Sequence, residues 1–232
     1  MKLFTIGCSF TEGQDLQNHK TECYTHRLAE KLNLEYFNFG SCGASNDYIF
    51  RKVFELINSN TIHTEDILII QWTHYSRKEL PVIYNKKNWY HYIPNSLHAY
   101  QDKKITRQGK NLSVQNEHMN LKLHDDMVEL ESKNKKILED YIVTFLHEDY
   151  QKNTTINYIT ALYAYLEYSH YKHIHFFGWN DCLLENVYGM GNNILQDSFA
   201  GYTDTYLNNH PNKEGHEKWA NLLFEKIKEL YK

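Results

Sequence analysis

A serine, a glycine-rich block and a histidine block stand far apart in this chain, and each has a residue pattern that could do chemistry. The first stretch is "FTIGCSFTEG", residues 4 to 13, where a β-prone run meets Gly7, a small thiol and Ser9. Glycine with serine is ordinary turn chemistry. A serine on a tight turn at the carboxyl end of a strand can also present its hydroxyl above a sheet. The second stretch is "NFGSCGASN", 38 to 46, and the third is "HPNKEGH", 210 to 216. A serine hydroxyl is a weak nucleophile until a base takes its proton. Attack on an ester carbonyl builds charge on oxygen, and N–H donors aimed there lower the barrier by a few kcal/mol each. A glycine lets the backbone approach that oxygen without a Cβ in the way. Two further histidines, His173 and His175, share one strand face at a spacing two metal ligands could use. No third ligand accompanies them, so the reading is without metal or cofactor.

Positioning such groups requires regular elements, and these are legible at both ends of the chain. "KLFTIG" reads as a first strand and "EYFNFG", 35 to 40, as a second. "DILIIQW", 66 to 72, is a continuous apolar run, the pattern of a strand buried on both faces. "HIHFFGW", 173 to 179, is a further strand. Helices are expected over 24–32, over 47–59 with Asn46 as cap, over 155–170 and over 212–231. Strands alternating with helices predict βαβ crossovers and a parallel sheet covered on both faces. In such sheets ligands sit beyond the carboxyl ends of the strands. Ser9, Gly40, Gly43, Trp72 to Arg77 and Trp179 to Asp181 would gather at that edge. Residues 78 to 135 break the alternation and read as an irregular insertion with an aromatic cluster at 89–100, leaving the third strand as a lid or binding loop.

Composition bounds the rest. The chain has 232 residues, 41% hydrophobic and 15% aromatic, enough for one α/β domain with a core. A formal charge of −4 argues against nucleic acid as the main partner. Four cysteines without zinc spacing or a disulfide framework read as reduced thiols of a cytoplasmic protein. No run reaches the roughly 18 apolar residues of a membrane span, and the first residues make a poor signal peptide. Oligomeric state is not legible.

In order and position, "GCSFTEG", "NFGSCGASN" and "HPNKEGH" resemble the blocks of the SGNH hydrolases, or GDSL esterase/lipase family, with Cys8 where the family often has Asp. The resemblance implies a three-layer α/β/α, flavodoxin-like domain over residues 1–232. It implies Ser9 as nucleophile, His210 as general base, and the N–H groups of Ser9 and Gly43 in an oxyanion hole. The chain departs from the pattern twice. The third strand ends "QWTHYSR" where the family has an asparagine, leaving His74, or Asn180 from the later "GWND", to face the oxyanion. The usual aspartate three residues before the histidine is Leu207, so Asp204 is the first choice to orient His210, with a Ser9–His210 dyad as the alternative.

The implied activity is serine esterase chemistry through an acyl-enzyme on a small-molecule or carbohydrate ester, with O-deacetylation preferred. Acyl transfer, or a binding module for a glycan or protein that has lost catalysis, is the alternative. His210 could instead be a plain residue ahead of a helix capped by Asn212, and His216 reads as structural.

Overall fold

The computed structural model describes residues 1–84, 87–92, 148–179, 187, 191–203, 206–207 and 210–231. Its centre is a five-stranded sheet. The strands are β1 (Leu3–Gly7), β2 (Tyr36–Gly40), β3 (Ile67–Trp72), β6 (Lys172–Phe177) and β7 (Ile194–Ser198). Their order in space is β2-β1-β3-β6-β7, and every pairing is parallel. Between β1 and β3 the direction of succession reverses. The crevice at such a switch point, outside the carboxyl ends, is where open α/β sheets bind ligands.

Helices cover both faces. On one lie α3 (Tyr24–Leu32) and α7 (Lys213–Leu230); on the other lie α4 (Asn46–Asn58) and α5 (Glu148–Tyr168). The alternation of side chains along each strand feeds these two cores. Leu3, Ile67, Ile69 and Phe176 pack with Leu28, Trp219 and Leu223. Phe4, Ile6, Leu68 and Ile70 pack with Ile49, Val53, Ile159 and Leu162. All residues of β1 and of β3 are buried, as expected of strands in the middle of a doubly covered sheet. The three-layer α/β/α architecture expected from the sequence is the one observed.

Several local expectations are corrected. The stretch after β1 is not merely a turn: α1 (Ser9–Glu12) begins at the serine itself. Short α2 (His19–Glu22) follows. The cap of α4 is Ser45, whose Oγ accepts from the Tyr48 N–H at 3.3 Å. Asn46 instead ties the helix start to the end of β3, its amide pairing with both backbone groups of Thr73 at 2.9 and 3.0 Å. Helix α5 begins at Glu148, seven residues earlier than the apolar spacing suggested. Strand β6 stops at Phe177, so Trp179 lies in the turn beyond it. Strand β7 escaped the sequence reading, because two of its five residues, Gln196 and Asp197, are polar and exposed at the sheet edge.

The insertion begins as regular structure. β4 (Lys78–Tyr84) and β5 (Lys87–Tyr92) form an antiparallel hairpin, with β4 running beside α4. Lys78 Nζ lies 3.5 Å from Asp47 Oδ1. Most of the expected lid, from 93 onward, lies outside the described residues. Near the carboxyl end of the chain, α6 (Phe199–Thr203) leads to a two-residue ladder of β8 (Tyr206–Leu207) with β9 (His210–Pro211). In it Leu207 is the backbone partner of His210. Asn212 then caps α7, its Oδ1 accepting from the Gly215 N–H at 3.0 Å.

Candidate active site

Ser9 is the first residue of α1 and follows β1 by two positions. Cys8 stands between them in extended conformation, at φ −99° and ψ −156°. The sharp change from strand to helix lifts the Ser9 hydroxyl to the sheet's carboxyl edge. Close packing makes the turn possible. A Cβ on Gly40, at the end of β2, would collide with the Glu12 backbone nitrogen, so only glycine lets α1 settle there.

Gln71 locks this turn from β3. The Thr11 N–H donates to Gln71 Oε1 at 3.1 Å, and the Thr11 hydroxyl bonds to the same oxygen. Gln71 Nε2 donates to Cys8 Sγ at 2.9 Å. One buried amide thus holds the residues on both sides of the Ser9–Phe10 pair. The Tyr24 hydroxyl lies 3.0 Å from Thr11 Oγ1 and extends the network into the core.

His210 is brought to the serine by the β8–β9 ladder and the start of α7. Its Nε2 lies 3.0 Å from Ser9 Oγ. Its Nδ1 lies 2.8 Å from Asp15 Oδ2. A carboxylate accepts only, so the ring proton sits on Nδ1, and Nε2 is left to accept from the serine hydroxyl. The Phe10 ring meets the imidazole edge-on, 5.3 Å between centroids. Ser9 is 3% exposed, and the side chains of His210 and Asp15 are 17% and 22% exposed, so the hydroxyl is sheltered while the pair behind it touches solvent.

The carboxylate therefore comes from the loop after α1. Asp204, the residue expected there, lies outside the described residues; Asp15 holds the His210 nitrogen that Asp204 was to hold. Asp15 sits at φ +67°, in the left-handed region. That conformation is uncommon outside glycine, and Asp tolerates it better than most. Residues held there tend to cluster at functional sites.

The remaining expected residues differ in outcome. Gly43 has φ +77°, a conformation that disfavours any side chain, in the glycine block beside α1. Among the described residues neither the Gly43 N–H nor the Ser9 N–H is donated to another backbone group outside regular helix and strand bonds. His74 follows β3, but its Nδ1 turns into its own loop. It accepts from the Ser76 N–H at 3.1 Å and lies 2.7 Å from Ser76 Oγ, which leaves Nε2 as the ring's N–H donor. Asn180 lies outside the described residues. His216 is buried in the core: its Nδ1 accepts from the Tyr24 N–H at 3.0 Å. Burial, then the charge of nearby His210, pushes its pKa down to about 3.

His173 and His175 do not converge on an open metal position. Trp72 Nε1–H donates to His175 Nδ1 at 3.0 Å, His175 Nε2 lies 3.0 Å from His173 Nδ1, and His173 Nε2 lies 3.1 Å from Glu167 Oε1. Every ring nitrogen is thereby engaged by a protein partner. Burial holds His175 well below its ordinary pKa and His173 at about 4, the latter against the opposing pull of Glu167. Among the described residues no cluster of three or more His, Cys, Asp and Glu side chains is arranged to hold a metal ion. No helix among them is long and apolar enough to cross a membrane.

Gln71 and Asp15 are the two site residues that sequence reasoning missed. Gln71 had a signal: a lone amide inside the run "DILIIQW" must find partners when buried. Asp15 had none, since its role depends on a left-handed turn that no short pattern announces.

No family model matches the chain, and no curated protein matches it. Solved structures of similar shape include a member of the lipolytic protein G-D-S-L family from Veillonella parvula DSM 2008, at 12% identity and TM-score 0.37, covering 100% of this chain and 98% of that one. Another, described as a possible lipase from Chitinophaga pinensis DSM 2588, has 14% identity and TM-score 0.35, with 99% and 98% covered. A third, provisionally assigned to the lipolytic G-D-S-L family in Desulfitobacterium hafniense DCB-2, has 13% identity and TM-score 0.35, with 98% of each chain covered.

Proposed function

We propose that the chain is a serine hydrolase of carboxylic esters, with Ser9 as nucleophile, His210 as general base and Asp15 as the residue that orients the base. The observation that carries the proposal is the unbroken line from Asp15 Oδ2 to His210 Nδ1 at 2.8 Å and from His210 Nε2 to Ser9 Oγ at 3.0 Å. Both contacts are within hydrogen-bond reach, and the tautomer that the first imposes is the one the second needs.

The reaction follows from these contacts. Ser9 Oγ attacks the ester carbonyl carbon as its proton passes to His210 Nε2. The carbonyl π pair moves onto oxygen, and the N–H groups of Ser9 and Gly43 stabilise that oxyanion. Asp15 stabilises the imidazolium. As the intermediate collapses, the carbon–alkoxide bond breaks, and His210 returns its proton to the leaving alcohol. The acyl group then sits on Ser9. Water, deprotonated by His210, attacks the acyl carbon, and a second collapse releases the acid and restores the serine hydroxyl.

A third oxyanion donor is assigned to His74 Nε2 or to Asn180, the two side chains that follow β3 and β6. A short acyl group such as acetyl on a carbohydrate fits the expectation drawn from the aromatic stretch at 89–100. The test is turnover of 4-nitrophenyl acetate by the purified protein and by Ser9→Ala. The proposal requires turnover that the variant loses while its circular dichroism and melting temperature are retained. Equal rates in both proteins contradict it.

A further inference from the structure

Arg77 follows β3 at the carboxyl edge of the sheet, and among the described residues no carboxylate pairs with its charge. It closes the tight turn after β3, its N–H donating to the His74 carbonyl at 3.1 Å. Its guanidinium lies over the Trp179 ring, 4.7 Å from the centroid. The Trp179 ring packs against Phe10 at 4.3 Å, and Phe10 meets His210 at 5.3 Å. Arg77 is therefore two aromatic rings away from the imidazole, on the same carboxyl edge of the sheet. Burial raises the pKa of the Cys42 thiol in the glycine block to about 11, and the charge of Arg77 pulls against that shift.

Arg77 Nη1 is nevertheless buried with no hydrogen-bond partner. A guanidinium carries five N–H donors and no acceptor, and a buried donor left unpaired is costly. The nearby carboxylates do not pair with it. Asp15 is on His210. Glu12 Oε2 is itself buried without a hydrogen-bond partner, and burial raises the pKa of Glu12, which favours its neutral form. Among the described residues no carboxylate forms an ion pair with Arg77. Stacking on an indole fixes the guanidinium plane and leaves its edge for a planar anion. Such a fork matches a carboxylate, which it can hold through two parallel hydrogen bonds.

We infer that Arg77 is the substrate-recognition residue of this site and that the ester it takes carries a carboxylate. The inference rests on the hydrolase reading above and narrows its substrate class to anionic esters. The carboxylate docks on the Arg77–Trp179 shelf while the ester carbonyl lies at Ser9.

The experiment compares two pairs of esters that differ in that charge. Mono-4-nitrophenyl succinate is set against 4-nitrophenyl butyrate, placing the carboxylate on the acyl side. 4-Acetoxybenzoate is set against phenyl acetate, placing it on the alcohol side. The wild-type protein should prefer the anionic member of at least one pair by tenfold or more in kcat/KM. Arg77→Gln should bring that ratio close to one, chiefly through KM, and Arg77→Lys should retain part of it. A wild-type protein without preference in either pair overturns the inference while the hydrolase reading stands. A preference that survives Arg77→Gln also overturns it. If no ester is turned over, binding of benzoate to wild type and to Arg77→Gln, followed by NMR, decides. Binding lost in the variant keeps the anion site and discards the esterase; no binding to wild type discards the site. The wild-type ratio needs no variant, so the test survives a variant that does not fold.

Discussion

Asp15 and His210 are 195 residues apart in the chain, yet Oδ2 of one lies 2.8 Å from Nδ1 of the other. The contact joins the loop after the first helix to the ladder before the last. If it orients the catalytic imidazole, Asp15→Asn should cut kcat/KM by about a thousandfold or more, as wrong-tautomer changes do in triads. Asp204→Asn should cost less than about tenfold, or under roughly 1.4 kcal/mol. The opposite ranking in steady-state kinetics would return the role to Asp204.

Gln71 is bonded to Thr11 and Cys8 on either side of Ser9, and under the proposed function it is a positioning residue. Gln71→Leu keeps the volume but strands the buried Thr11 N–H, at a cost of about 1–3 kcal/mol in stability. Because the turn that carries Ser9, the proposed nucleophile, loosens, kcat should fall while KM changes little. Thermal melts read the first effect and kinetics the second. A variant that melts earlier yet keeps the wild-type kcat would show that Gln71 serves the core alone.

Acid should destabilise the protein sooner than its carboxylates alone would predict. His173, His175 and His216 all have pKa values lowered by burial. The folded state keeps them neutral, while the unfolded chain protonates its histidines near the usual 6.5. Below that pH the unfolded state binds more protons, so stability is present above about 6.5 and is lost as pH falls toward the folded values of about 4 and 3. Glu12, whose pKa is raised by burial, opposes the trend with one group against three. Urea unfolding at pH 7 and pH 5 should therefore show a loss on the order of 2 kcal/mol per fully buried histidine. Equal stability at the two values would mean that these rings are not held neutral.

Much of this architecture could be read from residue patterns, because the informative forces were local. Runs such as Ile67–Trp72 can only be strands buried on both faces, and the stripe of Ile49, Val53 and Ile57 announces α4. Ser9 stood out because it sits where a strand ends, with turn residues around it, and His210 because "HPNKEGH" resembles a family block. What the patterns hid was long-range. Asp15 reaches His210 only through a left-handed backbone at φ +67°. Asn46, a plausible cap by type, is drawn off to Thr73 because Ser45 already caps the helix. Strand β7 lies at the sheet edge, where two of its side chains need not be apolar. Of the expected lid, residues 78–135, the part from 93 onward lies outside the described residues, and the β4–β5 hairpin is the part described.

The central claim is that the Ser9 hydroxyl is activated by His210, and covalent labelling measures that most directly. A fluorophosphonate reacts with a serine whose proton can be taken and whose developing oxyanion is held. Intact-mass and peptide analysis of the treated protein should show one adduct, on Ser9, that is absent in Ser9→Ala and strongly slowed in His210→Ala and Asp15→Asn. A folded wild-type protein that takes up no label, or takes it at another serine, would contradict the account.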